Sequence, residues 1–149
     1  MSHEFIEEFN ALLAGEISAV ETYDLALKTA VREDIKQALV KCRNSHSNRV
    51  DGLTVRVADL GGKPAGSSGL WGPFAAFSQK GAGSETDAIA LLEQSEAERL
   101  VQYEAQQKIV VSPVLEVLAT DLLPAQHETH LTMSSLLKSL LPVPSESKA

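Results

Sequence analysis

One stripe of positions recurs through the first half of this chain at intervals of four and three residues. It runs Phe5, Phe9, Leu12, Glu16, Ala19, Tyr23, Ala26, Ala30, then resumes as Ile35, Leu39, Cys42, His46, Val50, Leu53, Val57, Leu60. Such spacing keeps one face of a helix turned toward a partner, as in the seam of a bundle. No segment alternates with the period of two that a half-buried strand requires. Aromatic residues make up only 5% of the chain, so Leu, Val, Ile and Ala must fill the core, and these suit helix packing. The pattern predicts an all-α fold.

The breaks in the pattern divide the chain. A first helix is expected over residues 3–31 and a second over 34–60, joined by the short "VRED", which makes them antiparallel neighbours. Gly61-Gly62 with Pro64 just beyond is a strong helix stop. Residues 61–83 hold seven of the nine glycines and two of the six prolines. Within this long connection, Leu70, Trp71, Phe74 and Phe77 have the spacing of a short amphipathic helix. It would cap the bundle or bury itself in a partner subunit. Ser84 reads as an N-cap, with Glu85 and Asp87 suiting the first turn of a third helix over 85–110. Ser112-Pro113 reads as the N-cap and first residue of a fourth helix, which ends near 141 before Pro142 and Pro144; Pro124 inside it should kink it or open a small break. One four-helix domain, residues 1–142, is expected, with a flexible tail over 143–149. A connection as long as 61–83 can carry the third helix parallel to the second.

Several functions are excluded by composition. The net charge is −7, with no basic stripe, which disfavours nucleic acid and anionic membrane as partners. No apolar run approaches the ~18–20 residues of a membrane span. The start "MSHEFIEEFN" does not read as a signal peptide. The one cysteine, Cys42, allows no internal disulfide and suits a reducing, cytoplasmic setting. No glycine-rich loop joins a strand to a helix, no Ser or Cys nucleophile motif is present, and "HETH" lacks the His-Glu-x-x-His spacing of a zinc protease. No catalytic residue is assigned.

The stripe carries polar exceptions. Glu16, Tyr23 and Asp24 in the first helix are matched 80 residues later by Glu96, Tyr103 and Glu104 in the third. At an offset of 84, Arg43 and His46 in the second helix are matched by His127 and His130 in the fourth, and Leu39, Leu53 and Val57 by Leu123, Leu137 and Leu141. The two halves look like a weak duplication of a helix pair. Each seam is thus interrupted by a ligand-type residue: Glu16, His46, Glu96 and the His127/His130 pair. A buried carboxylate or imidazole is costly unless paired or metal-bound.

With "LLAGEISAVETY", a Glu followed seven residues on by a Tyr, and "HSNRVDGLTVRVADLGGKP", the chain resembles the ferritin-like superfamily over roughly residues 5–140. The resemblance implies a ferritin-like four-helix bundle with a long crossover connection between helices 2 and 3, and metal ions held by a Glu on helices 1 and 3 and Glu-x-x-His on helices 2 and 4. By position, Glu16 and Glu96 match the two Glu ligands and His46 and His130 the two His ligands. Arg43 and His127 stand where the family has its bridging Glu residues. Two divalent ions would bring +4 against −2 from Glu16 and Glu96, with Arg43 adding +1, so one Fe, Mn or Zn ion fits better. Glu16, Glu96, His46, His127 and His130 would hold it, with Tyr23, Arg43 and Tyr103 around them. A metal-binding protein with a redox or oxygen-related role follows from that reading. The alternative is a metal-free structural, stress or interaction module in which Arg43 bridges the two carboxylates. Under both, Leu70, Trp71, Phe74 and Phe77 favour a homodimer.

Overall fold

The computed structural model describes residues 2–67, 84–110 and 113–141. Among these, all regular structure is helical. Helix α1 spans Ser2–Thr29, α2 Glu33–Asp59 and α3 Glu85–Gln107. The fourth helix is continuous but not uniform: α4, Val114–Val117, passes through a π-helical stretch, Leu118–Leu122, into α5, Leu123–Leu140. The chain is thus an all-α protein with four long helices among the described residues. The aromatic connection with Leu70, Trp71, Phe74 and Phe77, Ser112, and the tail 143–149 lie outside them.

The expected stops and starts have clear physical causes. At the end of α2, Gly61 adopts φ 84°, its N–H donates to Ala58 O at 3.0 Å, and Gly62 N–H donates to Val57 O at 3.0 Å. This is the paired bonding of a Schellman cap, which needs a residue tolerant of the left-handed region. Ser84 caps α3 by accepting from Asp87 N–H at 3.1 Å. Helix α2 lacks a capping side chain of its own at Arg32. The Glu85 carboxylate takes over, accepting from the N–H groups of Val31 and Arg32. This bond also places the start of α3 beside the α1–α2 turn. At the other end of the bundle, Asn10 holds the chain leaving α2, donating to Lys63 O and accepting from Ala65 N–H.

In the fourth helix, the break expected at Pro124 is accommodated without ending the helix. Proline has no N–H to return to the preceding turn and its ring crowds that turn's carbonyl. The wider π turn at Leu118–Leu122 lies just before it and absorbs the mismatch.

Two apolar clusters fill the interior. One gathers Phe9, Leu12, Leu13, Leu53, Val57, Tyr103, Val117 and Leu118. The other gathers Tyr23, Ala26, Ile35, Leu39, Ile89, Leu92 and Met133. Early α3 residues therefore pack with early α2 residues and Tyr103 with late ones, so α3 runs in the direction of α2. Between the clusters lies a polar layer.

Candidate functional site

The polar layer is built by one residue pair from each of the four helices. Glu16 and Tyr23 come from α1, His46 and Arg49 from α2, Glu96 and Tyr103 from α3, and Gln126 and Thr129 from α5; all are buried. His46 stands at the centre. Its Nδ1 meets Glu16 Oε1 at 2.5 Å and its Nε2 meets Glu96 Oε2 at 2.7 Å. Tyr23 lies stacked against the ring, with centroids 5.5 Å apart.

The tyrosines cross over. Tyr23 on α1 donates to Glu96 Oε2 on α3 at 2.6 Å, and Tyr103 on α3 donates to Glu16 Oε2 on α1. Residues 80 apart thus make equivalent bonds in opposite directions, as a pseudo-two-fold relation between α1 and α3 requires. Glu96 is completed by Gln126 Nε2 at 2.7 Å and Thr129 Oγ1 at 2.6 Å, both donating to Oε1. Arg49 ties the layer together. Its Nη1 donates to Gln126 Oε1 at 2.6 Å and, more weakly, to Glu16 Oε2 at 3.4 Å. Its Nη2 donates to Ser45 Oγ at 3.0 Å, Ala125 O at 3.1 Å and Thr129 Oγ1 at 3.0 Å.

The protonation states follow from this geometry. Two carboxylates can accept from both ring nitrogens of His46 only if both carry a proton, so the ring is an imidazolium. Burial alone would favour neutral His46, but Glu16 and then Glu96 outweigh it and raise its pKa. Burial also opposes ionisation of Glu16 and Glu96. For Glu16 the charge and hydrogen bond of His46, with Arg49 and Arg99 beyond, reverse that and hold the carboxyl below its usual range. For Glu96 the His46 bond and charge, then Thr129 and Tyr23, do the same. Burial, and then the carboxylate each one faces, push the phenols of Tyr23 and Tyr103 well above their ordinary value. Both tyrosines therefore serve as donors.

Of the residues singled out in the sequence, Glu16, His46, Glu96, Tyr23 and Tyr103 are brought together. His127, His130 and Arg43 are not. The His127 side chain is 59% exposed, with Glu104 4.0 Å away. His130 sits at the margin, 28% exposed, 3.1 Å from Glu93. Arg43, 35% exposed, pairs with Asp24 at 2.8 Å rather than with Glu16 and Glu96. The reason is register. The buried positions Cys42, His46, Arg49 and Leu53 of α2 recur as Leu122, Gln126, Thr129 and Met133, an offset of 80, the same as between α1 and α3. Relative to the expected offset of 84, the offset of 80 slides the fourth helix by about one turn and turns its histidines away from the centre.

The missed residues are thus Arg49, Gln126 and Thr129. On α2 the stripe steps from His46 to Arg49, not to Val50, and alternation of four and three from Ile35 onward would have landed there. Arg99 is also buried, close over Gly15, where a Cβ would stand 2.8 Å from its Nη1.

These side chains do not fit a two-metal carboxylate centre. The i, i+3 positions that face the centre hold His46 and Arg49 on α2 and Gln126 and Thr129 on α5, where that centre needs Glu and His. Both carboxylates and both ring nitrogens are already bonded to protein partners. Two negative charges, Glu16 and Glu96, face three positive ones, His46, Arg49 and Arg99, before any ion is added. Among the described residues, no group of three or more His, Cys, Asp or Glu is arranged to hold a metal ion.

Fold and site together define a four-helix protein with a buried, charge-bridged polar layer. Compared with protein-family models, curated proteins and solved structures, the chain matches none. No helix among the described residues is long and apolar enough to cross a membrane.

Proposed function

We propose that this chain is a metal-free four-helix module, serving assembly or interaction, in which an internal ion bridge takes the structural place of a metal centre. One observation carries the proposal: His46 spans Glu16 and Glu96 through both ring nitrogens. A cation of fixed geometry thereby joins α1, α2 and α3, and Arg49 extends the bridge to α5. A bridge of this kind specifies which helix faces which and at what level, a use of buried polar groups known from helical assemblies. The bridging role assigned to Arg43 falls to His46, and Arg49 donates beside it to Glu16 and Gln126. The likeness to the ferritin-like frame, with a crossover between the second and third helices, rests on the Glu-to-Tyr spacing in α1 and α3 and on the start of α3 beside the α1–α2 turn.

A competing reading keeps one Fe, Mn or Zn ion on Glu16, His46 and Glu96. The convergence of three ligand-type side chains favours it, but it requires His46 to give up a proton and the ion to enter beside two guanidinium groups. Metal content per chain of untagged protein, with thermal melts in added Fe(II), Mn(II) and Zn(II), separates the two. The metal-free module has no stoichiometric metal and an unchanged Tm. One metal per chain, lost in Glu16→Ala and His46→Ala, would overturn it.

A homodimer in the cytoplasm accords with the buried thiol of Cys42, with the aromatic residues of the connection, and with the exposed Val101, Ile109 and Leu131. Light scattering tests the dimer directly.

A further inference from the structure

A groove of about 740 Å³ lies between α2 and the fourth helix, outside the carboxylate bridge. Three features open it. Gly52 offers it no side chain, and a Cβ built there would have nothing within 4 Å. The π turn Leu118–Leu122 widens the opposite wall. Pro124, also in that wall, carries a ring in place of an N–H.

The charged groups of the groove are sorted by side. Helix α2 contributes Arg49 and Arg56, and the fourth helix contributes Asp121 and Glu128. Arg56, Asp121 and Glu128 have no ion-pair partner within 4.0 Å among the described residues. Arg49, whose side chain is only 4% exposed, is the innermost. Its Nε is the one buried side-chain nitrogen or oxygen without a hydrogen-bond partner among the described residues. That nitrogen is closed to solvent, so Arg49 acts on the groove through its charge rather than through a direct bond. Leu53, Val117 and Leu122 add an apolar wall between the two charged sides.

We propose that this groove binds a small zwitterion with an apolar body, of the α-amino-acid class. Its carboxylate faces Arg56 on α2, with the positive charge of Arg49 behind it. Its ammonium faces Asp121 and Glu128, and its side chain lies along Leu53, Val117 and Leu122. A simple anion would meet the two acids, and a simple cation the two arginines. Only a dipolar molecule is attracted by both walls, and the volume lies in the ~300–1,000 Å³ range of small-molecule sites. The groove shares Arg49 with the polar layer, but the inference does not rest on the metal-free reading, because no hydrogen bond or ion pair of the carboxylate bridge involves Arg56, Asp121 or Gly52.

The test is calorimetric titration of the full chain with L-phenylalanine and L-leucine. N-acetyl-phenylalanine, which lacks the ammonium, and phenylalaninamide, which lacks the carboxylate, serve as comparisons. At least one free amino acid is expected to bind at one site per chain, with both blocked forms weaker by about tenfold or more. Arg56→Gln and Asp121→Asn should each weaken binding about tenfold. Gly52→Leu should abolish it while circular dichroism shows the fold retained, since the added side chain grows into open space. Absence of heat from both amino acids at millimolar concentration overturns the proposal. So does equal binding of a blocked form, or undiminished binding by folded Gly52→Leu.

Discussion

Replacing Arg49 by Ala, beside Arg43 by Ala, tests which arginine holds the polar layer. The Arg49 side chain is 4% exposed and donates to Glu16, Gln126, Ser45, Ala125 and Thr129. Its removal leaves Gln126 Oε1 without that donor and weakens the compensation of Glu16. Breaking a buried ion pair from one side costs about 3–5 kcal/mol. The low end is expected, because deleting one of three clustered cations also relieves repulsion from His46 and Arg99. Arg43 and Asp24 form a pair 35% and 47% exposed, for which solvent screening limits the loss to about 0–1 kcal/mol. Urea denaturation followed by helical circular dichroism reads both. With a slope of about 2 kcal/mol per molar, Arg49→Ala should lower the midpoint by about 1.5 M and Arg43→Ala by less than about 0.5 M. Equal losses, or an unaffected Arg49→Ala, would refute the account of the layer.

The bridge should also make stability depend on pH from both sides. Glu16 and Glu96 are held below their ordinary 4.5, so their contribution is present above that value and is lost as pH falls through their folded pKa values. His46 is held above its ordinary 6.5, so its contribution is complete below 6.5 and is lost as pH rises through its folded pKa. Melts across pH should show the bridge strongest between 4.5 and 6.5, and His46→Gln should flatten the alkaline decline; a decline that persists unchanged assigns it to other groups. Tyr23→Phe and Tyr103→Phe each delete a donor to a buried carboxylate, worth about 1.5–3 kcal/mol. Tyr103→Phe should cost more, because Glu16 has fewer other close donors than Glu96, and the reverse order in chemical denaturation would contradict the bonding described. Cys42 is buried, and burial with the nearby Glu96 charge pushes its thiol up to about 11. A disulfide reagent should therefore label it only as fast as the bundle opens, and rapid labelling of native protein would be inconsistent with this packing.

Local chemistry was legible in the residues themselves. The four-and-three spacing gives helices because it is a property of one helix turning about its own axis. Gly61-Gly62 and Ser84 mark helix ends because capping is settled within a few residues of chain. Glu16, His46, Glu96 and both tyrosines stood out because each interrupts an apolar stripe. The level at which one helix meets another is different in kind. A slip of four residues turns a helix by only about 40°, too little to disturb its apolar pattern visibly, yet enough to exchange Gln126 for His130 at the level of His46 and Leu123 for His127 at the level of Arg43. Likewise Arg49 and Val50 are neighbours on α2, and a stripe stepping through either looks apolar enough on its own. Only the packed bundle, in which the guanidinium of Arg49 finds Gln126 and Thr129 across the interface, decides between them. The sequence by itself determined the helices and the kinds of polar group buried in them. Tertiary structure determined which of those groups meet, because the energy of a buried charge depends on the partner brought to it from a distant part of the chain.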